Sequence, residues 1–196
     1  VRDPWNVWVF RLRMGGSMNG EQQQGAFSVN GGANASRVTE RLKINFYSNG
    51  RYSRDRYELD SVSTYTSSTK DYSEQVLVVA SLGSHWAAGA RQQANRSTFL
   101  NRDLAVTLGP ALEYDVFPYR ESSRRQVTFT YLPAIAVYSH EEITIFGKAT
   151  ETLPVHQLQI SAATKQPWGS VDMGLNALQY LHNLARHRIR LSGQID

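Results

Sequence analysis

Apolar and polar residues alternate with a period of two through almost the whole of the 196-residue chain, and nothing else in the sequence constrains the fold as strongly. Successive side chains of a strand point to opposite faces, so strict alternation marks a strand with one apolar and one polar face. "WVFRLRM" sets Trp8, Phe10, Leu12 and Met14 against Arg11 and Arg13. "LKINFYSNGRYS" sets Leu42, Ile44 and Phe46 against Lys43, Asn45, Tyr47, Asn49 and Arg51. "WAAGARQQANRS" opposes Trp86, Ala88 and Ala90 to Arg91, Gln93 and Asn95, and "LAVTLGPALEYDV" opposes Leu108, Leu112 and Tyr114 to Thr107, Glu113 and Asp115. "VTFTYLPAIAVY" does the same with Phe129, Tyr131 and Ile135 against Thr128 and Thr130. Similar runs occupy "AFSVNGGANAS", "EQVLVVASL", "HQLQISAATK", "VDMGLNALQYL" and "RIRLSGQI". About ten strands are therefore predicted, with no competing helical period. The expected fold is all-β, a single domain over residues 1–196 whose strands run up and down antiparallel.

Alternation does not say which face is inside. A soluble meander barrel of the lipocalin kind, binding a small apolar ligand, would turn the apolar face inward. Three features favour the opposite. The polar faces combine hydrogen-bonding side chains with Gly, Ala and Ser, as a watery or networked lumen requires. The strands reach or exceed the roughly 9–11 residues that cross a bilayer at a tilt. Aromatics gather at strand ends, where amphipathic rings favour the headgroup level: Trp8, Trp86, Phe117, Tyr119 and Trp168 are the candidate interface residues. The longest unbroken apolar stretch is "VLVVA", far too short for a spanning helix. The reading is a transmembrane β-barrel, closed because an unpaired strand edge in hydrocarbon costs several kcal/mol per orphan group. Pro110 and Pro133 fall on the apolar parity and each removes a ladder donor, so local bulges are expected there. A long polar connection is expected near "DRYELDSVSTYTSSTKD", carrying Arg54, Arg56, Glu58 and Asp60 above the membrane.

The segments "STFLNRDLAVTLGPALEYDVFPYRESSRRQVTFTY", "EEITIFGKATETL" and "KQPWGSVDMGLNALQYLHN" resemble a family of bacterial outer-membrane β-barrels of unknown function, loosely described as salt-induced outer-membrane proteins. The resemblance extends over essentially the whole chain, with "FPY…SSRR" and "QPWGS" its most specific pieces. It implies a barrel in the bacterial outer membrane, often preceded by a periplasmic segment, and it supplies no catalytic motif. The upstream segment is missing, and "LSGQID" lacks the aromatic-ended last strand usual in such barrels, so further closing strands are expected and the whole protein would have ten to twelve or more.

The candidate lumen residues are Arg11, Arg13, Lys43, Arg51, Arg91, Arg188 and Arg190, with Glu113, Asp115 and Asp172 as counter-charges. Rings of charge set selectivity in pores, and a small barrel is otherwise filled by its side chains, so a plugged or narrowly conducting lumen is favoured. The partners expected are outer-membrane lipid and small solutes or ions. No catalytic residue, cofactor or metal site is assigned. The absence of cysteine excludes thiolate chemistry, and no G-x-S-x-G, H-E-x-x-H or phosphate loop occurs. An outer-membrane hydrolase ranks third, since it needs a nucleophile beside a base. His140 with Glu141 and Glu142, joined by His182 and His187 from another outer loop, is the remote metal candidate. The sequence pI of 9.4 does not imply nucleic acid, because the basic residues are dispersed over many strands.

Overall fold

The computed structural model describes residues 6–58, 63–118 and 124–195. They form ten strands: β1 (Trp8–Gly20), β2 (Gln24–Val38), β3 (Leu42–Glu58), β4 (Thr64–Ser81), β5 (Trp86–Ser97), β6 (Arg102–Asp115), β7 (Arg125–Ser139), β8 (Thr150–Gln166), β9 (Gly169–Tyr180) and β10 (Asn183–Ile195). Each pairs antiparallel with its successor, giving one meandering sheet ordered β1 to β10. Among the described residues there is no helix, and β1 and β10 pair on one side only.

The register carries one parity across the sheet. Lys43 opposes Val79, Val79 opposes Gly89 and Gly89 opposes Ala111; further along, Leu132 opposes Gln157, Gln157 opposes Leu178 and Leu178 opposes Arg188. A one-residue slip anywhere would turn a whole strand over. The two register shifts, at Asn95/Ser97 and Asn183/His187, lie beside turns and leave the central parity intact.

The sheet curls toward its polar face. Lys43 of β3 meets Glu113 of β6 at 2.8 Å, although two strands lie between them. On a flat sheet those strands would sit roughly 14 Å apart. Tyr138 of β7 likewise meets Tyr180 of β9 across β8, hydroxyl to hydroxyl at 3.2 Å. Two glycines on the concave side permit the tightest approaches. A methyl built on Gly89 would overlap the Val78 carbonyl and lie 2.7 Å from Val79 Cα; one on Gly109 would overlap the Pro133 carbonyl and lie 2.8 Å from Ala134 Cα. Strands this close at a bend admit no side chain.

Two expectations need correction. Pro110 and Pro133 produce no bulge: Leu108 opposes Ile135 and Leu112 opposes Tyr131 in one continuous register, with three pairings missing between them. That register sets the prolines opposite each other, so the two donors of one reciprocal pair vanish together and no residue need be inserted. The long polar connection after β3 is also mostly strand. Arg54, Arg56 and Glu58 pair with Ser68, Thr66 and Thr64, because Thr, Ser and Tyr suit a ladder as well as a loop. Asp60 lies outside the described residues.

Gly89→Ala and Gly109→Ala are each expected to destabilise the fold by about 3 kcal/mol or more, as overpacking against backbone does. Gly20→Ala, which meets nothing within 4 Å, should be near neutral. Urea unfolding followed by tryptophan fluorescence checks all three.

Candidate functional site

The two faces are inverted relative to a water-soluble protein. On the concave side Glu113 is 1% exposed and Thr128 4%, while their chain neighbours on the convex side, Leu112 and Phe129, are 42% and 37% exposed. Leu108 reaches 56%, and Phe27, Val78, Leu104, Tyr131, Ile135, Val137, Leu158, Met173 and Leu191 extend the exposed apolar surface from β2 to β10. Large contiguous apolar surfaces of this kind are rare on soluble monomers and mark contact with another phase or partner.

All ten candidate lumen residues fall on the concave face. Arg11 pairs with Asn34 and Arg13 with Gly32; Arg51 pairs with Asp71; Asp172 pairs with Gln194; Arg188 and Arg190 pair with Leu178 and Asn176. They are not one cluster. Arg11, Arg13, Arg188 and Arg190 are exposed on the two edge strands, whereas Lys43, Arg91, Glu113 and Asp115 line the deep middle.

That middle is a layered interior. Leu77, Val79, Ala87, Ala111 and Leu132 form a small apolar cluster on the concave side, with Leu132 fully buried. Beside it Lys43 Nζ donates to Glu113 Oε1 at 2.8 Å, and Thr130 Oγ1 donates to Glu113 Oε2 at 3.4 Å. Asp115 Oδ1 accepts from Thr128 Oγ1 at 2.6 Å, and Thr128 in turn accepts from Gln126 Nε2 at 2.9 Å. Alternation places these groups inward, and pairing makes their burial tolerable, because a buried charge is stable only when paired and hydrogen-bonded. A cavity of about 750 Å³ opens alongside, lined by Lys43, Asn45, Gln75, Arg91, Glu113 and Gln126 and, toward β10, by Asp172, Ser192 and Gln194.

Nearer the other end, Arg102 Nη1 donates to Asn95 Oδ1 at 2.7 Å and its guanidinium sits 5.5 Å from the Tyr138 ring centre. Sequence reasoning missed this tyrosine–arginine group, because Arg102 reaches the concave side through the β5–β6 register shift. It also missed Asn101, whose side chain ties two loops: Nδ2 donates to the Glu142 carbonyl at 2.8 Å, and Oδ1 accepts from the Glu142 N–H at 2.7 Å. Asn101 has a φ of 50°, a left-handed value that Asn tolerates well.

Among the candidate interface residues, Trp8, Trp86, Phe117 and Trp168 all lie at the end carrying the 39–41, 82–85 and 167–168 turns. The Trp86 and Tyr114 rings meet at a tilt of 54° with 4.8 Å between centres, and the Arg125 guanidinium lies 4.2 Å from the Phe117 centre. Tyr119 lies outside the described residues.

His140 and His182 both act electrostatically on Glu151. His140 Nδ1 lies 3.1 Å from the Asn101 carbonyl, and His85 Nδ1 lies 2.7 Å from the Asp115 carbonyl. His187 belongs to β10 rather than to a loop, the connection being only residues 181–182, so the expected His182–His187 loop is corrected. No group of three or more His, Asp or Glu among the described residues could hold a metal. No protein-family model, curated protein or solved structure matches the chain, so its geometry alone carries the functional reading.

Glu113→Gln should cost about 3 kcal/mol, since removing one member of a buried pair strands the other charge. Adding Lys43→Met should recover a large part of that loss. A double-mutant cycle in urea measures the coupling.

Proposed function

We propose that the chain is the membrane-spanning β-barrel of a bacterial outer-membrane protein, with a structural or passive-transport role and no catalytic turnover. One observation carries this reading: buried Glu113, Asp115, Thr128 and Thr130 on the concave face alternate along β6 and β7 with exposed Leu108, Leu112, Phe129 and Ile135 on the convex face. In water that arrangement forgoes about 1.5–3 kcal/mol for every large apolar side chain left outside. Against hydrocarbon it is the favoured one. Strands of 12 to 18 residues supply the span, since 12 residues rise roughly 40 Å and a 45° tilt brings that to roughly 28 Å. Trp8, Trp86, Phe117 and Trp168 would mark one headgroup boundary.

In this barrel the free edges of β1 and β10 are both paired, with each other or through further closing strands, because hydrocarbon leaves no water to satisfy them. The two strands run in opposite directions, so their junction continues the antiparallel order. The interior is largely filled between β4 and β8, which makes the lumen narrow: small solutes and ions are its plausible traffic, and lipid is its principal partner.

The chain has no cysteine, so single cysteines report cleanly. In protein refolded into liposomes, fluorophores on Leu108→Cys and Ile135→Cys should be quenched by nitroxide or brominated lipid tails. One on Asp172→Cys should instead be quenched by aqueous iodide. If Leu108 and Ile135 respond only to iodide, or if the chain is a water-soluble monomer without detergent, the membrane reading fails and a soluble β-barrel takes its place.

A further inference from the structure

We propose that Arg91 is the fixed binding site for a compact monoanion, a halide or a small carboxylate such as formate, in the concave-face cavity. The proposal rests on the aqueous-lumen reading above. Arg91 is 2% exposed and lines the cavity of about 750 Å³. Its Nε and Nη1 are buried, yet they find no hydrogen-bond acceptor, and Arg91 forms no ion pair with any described residue. Guanidinium stays charged in any protein environment, so the charge cannot be lost by deprotonation. Burying it unpaired is costly, and the two neighbouring carboxylates are already engaged. Glu113 accepts from Lys43 and Thr130, and Asp115 accepts from Thr128.

The surroundings define the ligand. Gln93 Nε2 donates to Gln75 Oε1 at 2.8 Å, which leaves the amide N–H groups of Gln75, another lining residue, as donors toward the cavity. Thus Gln75 offers further donors near Arg91, whose own Nε and Nη1 have no acceptor. The lining carries two cations, Lys43 and Arg91, and two carboxylates, Glu113 and Asp172. Glu113 is bonded to Lys43 and attracts Arg91 without hydrogen-bonding it, and Asp172 is exposed on the far wall, so Arg91 is the cation whose buried donors lack an acceptor. A single small monoanion can meet those donors. A dianion such as phosphate would be repelled by Glu113 and Asp172 in the same space. A buried guanidinium also demands a small ligand, since only its edge is accessible.

Chloride is the first probe, through the excess width of its ³⁵Cl resonance in the presence of detergent-solubilised protein. Wild type should broaden the line, and formate should narrow it again while inorganic phosphate does not. Arg91→Gln should cut the excess broadening about ten-fold, as loss of a charged hydrogen bond implies. Arg188→Gln, on the same face but exposed, should leave it unchanged. Equal broadening by wild type and Arg91→Gln overturns the site. Should Arg91→Gln not fold, crystals of the unmodified protein soaked in bromide decide: an anomalous peak within hydrogen-bond reach of Arg91 Nε or Nη1 supports the site, and its absence overturns it. Protein that inserts into liposomes but lacks Arg91-dependent broadening loses this site alone. Protein that does not insert loses the lumen reading as well.

Discussion

Every side chain in this fold is aimed by one constraint, the unbroken parity of an antiparallel backbone ladder. Ten strands are joined in sequence, and each fixes the facing of the next through its hydrogen bonds. The chain can therefore sort its residues onto two surfaces with no layer of helices and no second sheet. The ladder tolerates its own weakest point without losing that sorting. Where Pro110 and Pro133 face each other, three pairings disappear, yet Leu112 still opposes Tyr131 on the convex side and Glu113 still opposes Thr130 on the concave side. Had one proline stood alone, its partner's carbonyl would have lost a donor while the reciprocal bond remained, a geometry that invites a bulge.

Parity decides the faces; curvature decides what they cost. Because the sheet bends tightly at Gly89 and Gly109, the concave residues of β4 to β8 shield one another. Leu132, Val79 and Val155 are then as deeply buried as the core of a soluble protein. The same bend brings Lys43 to Glu113 and removes both from water. The apolar cluster and the ion pair are consequences of one geometry, and neither would survive if the sheet flattened. The convex residues pay the opposite penalty, since bending spreads them apart and leaves Leu108 more than half exposed.

Strand number, order and facing were legible because they depend on local alternation, and Arg91, Glu113 and Thr128 could be placed on one face from spacing alone. What spacing cannot give is distance across the sheet. Lys43 and Glu113 are seventy residues apart in sequence, and nothing local foretells their contact. Nor does alternation show that Arg11 and Arg188 lie exposed on edge strands while Arg91 is enclosed, since all three have the same parity. Turn residues were the least legible. Asp, Ser and Thr in 55–58 and 64–71 read as loop by composition, but register with Arg54 and Arg56 carries the ladder out to Glu58 and Thr64. In the same way "HNLARH" reads as a loop, although a two-residue turn suffices and His187 pairs with Gln179.

The concave face is also unequal from strand to strand. Between β4 and β8 the concave side is closed by Leu77, Val79, Leu132 and Val155 together with the paired charges. Along β1 and β10 the concave side instead carries Arg11, Arg13, Arg188 and Arg190, all solvent-exposed. Asp172, on neighbouring β9, lines the cavity that lies between the two regimes. The walls of that cavity also include Lys43, Arg91 and Glu113 of the middle strands, and none of the four exposed arginines. In a barrel closed between β1 and β10, those four cations would border a common seam. Their repulsion is bearable only with water and counter-ions among them, since like charges are screened by solvent and not by side chains that carry no negative charge. In the proposed barrel, water along that seam and in the cavity beside Arg91 would coexist with dry packing around Val79, Leu132 and Val155, which holds the curve.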